Sequence, residues 1–330
     1  MATRATAKKV NDPVGAVDSE TALAQLAFVA EPSRTGRGTR VSKSRGLEAG
    51  LEFARKQAEE ALARTRREVE RRVLQDVLPL WDDDNRGIPN PLIRSGLFTV
   101  GNSEERKYVD KVLIHSLSNY QITYSGQELQ QDDLSVWMAL INMARGQAIA
   151  DSIFFTGYRI IKDLGWRMHS ETYKRVQASI QRLKVTGLTI HSPGKDKGYS
   201  GSLIREYAWT ETDLNGNSCW MVRFEPRVID LFQDDTTTFV EWETRKRIGT
   251  RATLALWLHA FYTSHTEPYP ISVEKMHELC GSSDTLSSFR RNVRLALERL
   301  VKEDFLSSYD VKNDLVHVVK LRRGKLKRVA

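Results

Sequence analysis

The chain has 330 residues, with 50 lysines and arginines against 42 aspartates and glutamates, a net charge of +8 and a pI near 9.4. At 40% hydrophobic and 28% charged residues it can bury globular cores, about two at ~150 residues per domain, which excludes a wholly disordered chain. No stretch reaches the ~18 apolar residues of a transmembrane helix, and two cysteines, Cys219 and Cys280, make neither a disulfide framework nor a cysteine-only zinc site, so a reducing cytoplasm is expected.

Residues 1–46 read as a disordered basic tail. Its apolar run, Thr21 to Ala30, follows the acidic Asp18 and Glu20 and ends at no small-x-small cleavage site, unlike a secretory leader. Glu31 to Gly46, rich in Gly, Ser, Thr and Arg, reads as a flexible linker. Over residues 47–75, Leu47, Leu51, Ala54, Ala58, Leu62, Thr65, Val69 and Val73 recur three and four apart, predicting a charged amphipathic helix. The stripe is narrow and alanine-rich, which suits either a solvated helix or one that pairs with a partner. Residues 76–90, with Pro79, Asp82 to Asp84, Gly87 and Pro89, read as a linker carrying the short apolar peptide Val77 to Trp81.

From Pro91 the pattern becomes that of folded structure. Gln121 to Tyr124 alternates as a strand, Gln127 to Arg145 has helical spacing, and Ser152 to Phe155 is a short apolar strand. Thr156 caps a helix to Leu164 that Gly165 stops, and Ser170 or Glu171 opens another to about Thr186. Strands Leu188 to His191 and Leu203 to Trp209 flank a Gly- and Lys-rich loop, and Trp220 to Phe224 is a further strand. The order then recurs: helix Thr250 to Ser264, extended Ile271, cap Ser272, helix Val273 to Leu279, stop at Gly281, helix Thr285 to Glu303, and a hairpin of Phe305 to Tyr309 with Leu315 to Lys320. Val176, Ile180, Arg182, Leu183 and Leu188 have the same internal spacing as Val293, Leu297, Arg299, Leu300 and Phe305, so the chain holds an internal repeat.

The expected fold is therefore α+β: two tandem winged-helix domains, helix-turn-helix with a β-wing, at 91–243 and 244–320, preceded by the N-terminal arm and followed by a basic tail at 321–330. In such a unit the second helix of the pair presents its outer face to a DNA major groove and the wing lies along the backbone or minor groove. With Val176, Ile180 and Leu183 facing inward, Lys174, Arg175, Gln177, Ala178, Gln181 and Arg182 fall on the outer side. Gln pairs with adenine and Arg with guanine in bidentate fashion, and a small Ala admits a thymine methyl. In the second copy, Phe289, Val293, Leu297 and Leu300 face inward, leaving Arg290, Arg291 and Arg294 outside, with Ser287 and Ser288 at the helix start where hydroxyl and N–H groups bind phosphate. Lys195 and Lys197 are the expected wing cations of the first copy and Lys312 that of the second. The competing reading is an ordinary solvated basic face, and recurrence in both copies weighs against it. Lys320 to Arg328 either adds non-specific phosphate contacts or solubilises the chain.

No sign of catalysis accompanies these faces. There is no G-x-x-x-x-G-K-[ST] phosphate loop and no pair of histidines one residue apart, as a metal-dependent nicking protein would carry. The seven histidines are scattered, Cys219 and Cys280 read as core residues, and Asp82 to Asp84 lacks a second acidic group at a useful spacing. No cofactor and no metal are expected.

Ile88–Asn90, Arg94–Thr99, Ile122–Gly126, Asp163–Trp166, Glu267–Pro270, Leu279–Ser282 and Asn313–His317 occur in an order, over about residues 75–318, that resembles the TrfA family of broad-host-range plasmid replication initiators. The resemblance implies a two-winged-helix protein that binds directly repeated iterons as a monomer and is inhibited as a dimer. It implies opening of an adjacent AT-rich region, contact with double- and single-stranded origin DNA, and recruitment of the host initiator DnaA, the replicative helicase and the polymerase sliding clamp. Family members carry a clamp-binding peptide, Gln-Leu-Ser-Leu-Phe, before the first domain. Here Leu78, Leu80 and Trp81 keep its apolar pattern, while Val77 replaces the Gln and Pro79 the Ser. The alternatives are that this peptide packs on its own domain, and that the protein is a winged-helix repressor of operator repeats.

Overall fold

The computed structural model describes residues 50, 52–64, 67, 77–101, 106–117, 120–149, 151–191, 198–210, 218–232 and 236–321. The chain divides into two compact units, Met1–Arg66 and Arg67–Ala330. In the first, residues 52–64 form an exposed helix, α1, within the span where the charged amphipathic helix is expected. The expected tails lie outside the described residues, apart from Leu321.

The elements of the second unit, in chain order, open with β1 (Asn85–Pro89), α2 (Asn90–Ile93), β2 (Phe98–Thr99), β3 (Tyr108–Ile114), β4 (Gln121–Gln127), β5 (Leu129–Gln130) and α3 (Gln131–Ala144). Next come β6 (Ser152–Phe155), α4 (Gly157–Leu164), α5 (Ser170–Lys184), β7 (Gly187–His191), β8 (Gly198–Gly201), β9 (Ile204–Thr210) and β10 (Cys219–Phe224). After a 3-10 turn at Pro226–Leu231 come β11 (Thr237–Glu241), α6 (Trp242–Ile248), α7 (Thr253–Thr263), β12 (Ile271–Ser272), α8 (Val273–Leu279), α9 (Leu286–Lys302), β13 (Leu306–Lys312) and β14 (Leu315–Lys320). The result is a mixed α/β architecture of small sheets.

The expected linker at 76–90 is not one throughout. Strand β1 within it is buried along its whole length and pairs antiparallel with β11, from Asn85↔Glu241 to Pro89↔Thr237. The Gly and Pro that signal a loop have another cause here. A Cβ on Gly87 would sit 3.1 Å from the Trp81 ring, so glycine is what lets that ring lie against the strand. The pairing of β1 with a strand about 150 residues away is invisible to any local pattern.

Two hydrophobic cores form. The larger gathers Trp137, Val176, Ile180, Leu183, Trp220 and Phe224, and the smaller Trp257, Phe261, Phe289, Val293, Leu297 and Val316. Each fully buried side chain of this kind stabilises by about 1.5–3 kcal/mol. Around each core the same order recurs: a buried helix (α3, α7), a short strand (β6, β12), a short helix (α4, α8), a longer helix (α5, α9) and a hairpin (β9–β10, β13–β14). The sheets match as well, β6-β10-β9 in one and β12-β14-β13 in the other. Trp220 opposes Phe155 as Val316 opposes Ile271, and both Phe155 and Ile271 directly precede the cap of the short helix.

The caps explain why the short helices start and stop together. Thr156 Oγ1 accepts the Arg159 N–H at 3.1 Å, and Ser272 Oγ accepts the Lys275 N–H at 3.1 Å. Gly165 and Gly281 end them at φ 68° and 61°, left-handed values that favour glycine.

The first copy carries an addition. Strands β7 and β8 lie between its long helix and its hairpin and join β3 and β4 in a four-stranded sheet, β3-β4-β7-β8. Helix α6 was unexpected; Trp242–Ile248 offers a basic last turn of Arg245, Lys246 and Arg247 rather than an apolar stripe. The expected boundary between residues 243 and 244 falls inside it.

Candidate nucleic-acid interface

Helix α5 buries Val176, Ser179, Ile180 and Leu183 and exposes Lys174, Ala178 and Gln181. Lys174 pairs loosely with Glu171 at 3.0 Å, both well exposed. Gln177 is half-buried beside Tyr207, whose hydroxyl pKa burial pushes up to about 12. Arg175 lies with its guanidinium 4.4 Å from the Trp166 ring centroid and donates through Nε to Asp132 at 3.2 Å. Arg182 is different: it is drawn off the outer face and donates to the buried Asp133 at 2.7 Å.

That carboxylate anchors a network the sequence did not suggest. Asp133 also accepts from Ser179 Oγ at 2.7 Å, from the Gln130 N–H at 2.9 Å and from Arg106. Asp132 beside it accepts from Arg106 at 2.8 Å. Burial works to raise the Asp132 pKa, but Arg106 and Arg175 outweigh it and hold it below the ordinary carboxylate value. Both aspartates lie in the first turn of α3, where negative charge also suits the helix dipole. The one sequence signal for this cluster is that acidic pair at a helix start.

Helix α9 buries Phe289, Val293, Ala296, Leu297 and Leu300. Its outer face exposes Ser287, Ser288, Arg290, Arg291, Arg294 and Leu295. Thr285 Oγ1 caps the helix by accepting the Ser288 N–H at 3.3 Å. Arg290 reaches Asp314 at the hairpin turn with two hydrogen bonds of 2.8 and 3.0 Å, tying the helix to its hairpin. Arg291 and Arg294 make no ion pair among the described residues and point their charge outward. Lys312 closes on Asp310 at 2.5 Å, next to the turn residues Asn313 and Asp314 at φ 50° and 62°.

Residues 46–320 match the family model described as TrfA protein. Over 318 residues the chain is 30% identical to the plasmid replication initiator protein TrfA of Escherichia coli, covering 92% of this chain and 81% of that protein. The chain belongs to the TrfA family. It is a plasmid replication initiator by that membership. Among solved structures, two of domains 2 and 3 of RctB align at 12% identity, with TM-scores of 0.44 and 0.38. The first covers 67% of this chain and 94% of that chain, the second 76% and 96%. Similarity at that level carries no weight for function.

Two sets of expected site residues, Arg182 and the clamp-like peptide, sit otherwise than their motifs suggest for a TrfA-family chain. Lys195 and Lys197 lie outside the described residues, but the hairpin that flanks them, β7–β8, belongs to the added sheet. By sheet order the counterpart of β13–β14 is β9–β10. That hairpin exposes Arg205 and Trp209, the latter stacked on Tyr207 at 5.0 Å between centroids. Arg182 is committed to Asp133 rather than presented outward. In the clamp-like peptide, Leu78 is fully buried and Trp81 packs between Phe232 and Phe239 while its indole N–H donates to Asn142 at 2.9 Å. Leu80 alone of the three is exposed. The peptide packs on its own domain in this structure.

Among the described residues no group of His, Cys, Asp and Glu could hold a metal ion, and no helix is long and apolar enough to cross a membrane.

Proposed function

We propose that the protein reads the repeated sequences of a plasmid origin with two winged-helix modules, α3 to β10 and α7 to β14, whose long helices α5 and α9 enter successive major grooves of one duplex face. The observation that carries this is the recurrence of one strand order, β6-β10-β9 and β12-β14-β13, around a capped helix pair whose second helix turns polar and cationic residues outward. Arg291 and Arg294 read bases or phosphates from α9, with Ser287 and Ser288 at its start; Lys174, Gln177, Ala178 and Gln181 do so from α5, and Arg175 supports them at its edge. Arg290 and Lys312 place the second wing on the backbone. Arg and Gln contacts to base edges set the sequence, while the cations supply most of the affinity and its salt dependence.

Opening of an adjacent AT-rich segment comes from DNA bending and strand capture, with no bond made or broken by the protein. The host initiator, the helicase and the sliding clamp are the expected partners, dimerisation restrains activity, and the work is done in the bacterial cytoplasm. Clamp binding through Leu78, Leu80 and Trp81 requires the peptide to leave its own core first.

The test is a plasmid carrying only the repeats and this gene. Replication in a host, together with saturable binding to the repeats, is the expected outcome. Repeat binding without replication favours the repressor. A nick in supercoiled origin DNA, or a covalent tyrosine–DNA adduct, overturns the non-catalytic reading.

A further inference from the structure

Between the two modules lies a cleft of about 940 Å³ that no motif foretold. One wall is the Gly165–His169 turn between α4 and α5 together with Arg175. The other is the loop at residues 249–252 with Arg299 of α9. Six cationic side chains line it, Arg167, Arg175, Arg245, Lys246, Arg251 and Arg299, against a single carboxylate, Glu171. Four of the six have structural partners. Arg175 is held by Asp132 and Trp166, Lys246 by Glu243 at 2.5 Å, and Arg299 by Glu303 at 3.2 Å. Arg245 is fully buried and donates to Ser135, Gln131 and Leu256. Arg167 and Arg251 are exposed and form no ion pair among the described residues. Their guanidinium groups are solvated and carry no carboxylate partner among the described residues, and their planar forks match the oxygens of a phosphate that enters the cleft.

The position narrows the source of that anion. Arg251 also lines a neighbouring hollow that reaches Lys174 and Ala178 on the outer face of α5, and another that reaches Asn292 and Leu295 on α9. It therefore stands between the two helix faces assigned to successive major grooves. Between two such grooves a duplex turns its minor groove, and the two phosphate backbones that border it, toward the protein.

We propose that this inter-module cleft is a phosphate-binding site that seats the DNA backbone between the two grooves, with Arg167 and Arg251 as its ligands. The assignment rests on the two-module reading of the origin repeats and adds a contact that neither long helix makes. Each arginine then contributes affinity without sequence preference. It also fixes the spacing of the two helices on the duplex, because a backbone held at the midpoint allows one register for both.

The full-length protein is titrated with a repeat duplex and with a scrambled duplex by fluorescence anisotropy across a salt series. Arg167→Ala and Arg251→Ala each weaken binding roughly tenfold on both duplexes. Each also reduces the slope of log K against log salt by about 0.9, and the double variant by about twice that. Arg167→Lys and Arg251→Lys restore the slope, since an ammonium still holds a phosphate as a point charge, whereas a packing defect would not be repaired that way. Unchanged slopes in the alanine variants, with repeat binding intact and melting temperatures unaltered, overturn the cleft assignment and leave the initiator reading standing. Absence of any preference for the repeat duplex in the wild-type protein overturns the two-module reading instead. A third arm adds adenosine triphosphate at millimolar concentration. Arginine-dependent nucleotide binding combined with unchanged DNA slopes makes the site one for free nucleotides and overturns the backbone assignment.

Discussion

Arg182 and Arg299 occupy corresponding positions on the two long helices, and they do opposite things. In the first module Arg182 is withdrawn into the interior to meet Asp133, which has no exposed surface. In the second, Arg299 stays half-exposed and shares Glu303 with Arg247. The reason lies in the helix each packs against. Helix α3 begins with Asp132 and Asp133, whereas the first turn of α7 has no acidic residue and is tied instead by Thr253 Oγ1 donating to the Val100 carbonyl at 2.7 Å. At this position the first module carries a buried ion cluster, and the second an ion cluster whose arginines stay half-exposed. The outward faces differ accordingly: α5 keeps Lys174, Ala178 and Gln181, while α9 keeps Arg291, Arg294 and two serines. On the proposed reading of the two faces, α9 is the one that presents unpaired guanidinium groups outward.

The largest expected break in this comparison is Asp133→Ala. It leaves Arg182 without its buried acceptor and Arg106 with Asp132 alone, and costs about 3–5 kcal/mol of stability in urea unfolding. Glu303→Ala, at the half-exposed pair of the second module, costs about 1 kcal/mol or less. Equal losses at the two sites refute the contrast.

The next is Arg245→Ala. Burial pushes that guanidinium pKa down to about 9, so it is still charged at neutral pH. It joins Gln131 and Ser135 of α3 to the Leu256 carbonyl of α7. Its loss strands buried acceptors on both sides and costs about 2–3 kcal/mol. Because it links both cores, calorimetry of the variant is expected to resolve two unfolding transitions where the wild type gives one. A single transition at lower temperature removes its claim to couple the modules.

Affinity comes third. Arg294→Ala is expected to cost about 1–3 kcal/mol of repeat binding if the side chain reads a base, and Lys174→Ala about 1 kcal/mol or less. Isothermal titration with the repeat duplex decides the order. A larger loss at Lys174 reverses the division of labour between the modules.

What was legible in the sequence was what local chemistry decides. Thr156, Gly165, Ser272 and Gly281 bracket α4 and α8 because a hydroxyl acceptor and a left-handed backbone act within a few residues. The inward faces of α5 and α9 followed from their spacing, and Val176, Ile180, Val293 and Leu297 are all fully buried. What escaped depends on distance along the chain. Arg182 lies 49 residues from Asp133, so nothing near it marked it as an interior residue. Strand β1 pairs with β11 across about 150 intervening residues, so no local pattern marks it. The strands on either side of the Gly- and Lys-rich loop join β3 and β4, a pairing across the chain that no local pattern marks. The cleft arginines carried no signal at all, since Arg167 and Arg251 meet only through the packing of the two modules.

The smallest expected effect is also the one that isolates the ionic side of the contrast. The Asp132 pKa is lowered in the folded protein despite its burial, through Arg106 and Arg175. A lowered folded value means the unfolded chain takes up the proton first as the solution is acidified. The contribution of Asp132 is therefore fully present above the unfolded carboxylate value of about 3.9 and is lost as pH falls through the folded one. Asp132→Asn removes that dependence, so the difference in stability between variant and wild type should shrink between about pH 5 and pH 3. Urea melts across this range measure it. The same series on Thr253→Ala, at the corresponding end of α7, should give a difference that does not move with pH, because a hydroxyl does not titrate there. If the two series run parallel, acid is acting on some other carboxylate and the pinning of the first module by ions loses its support.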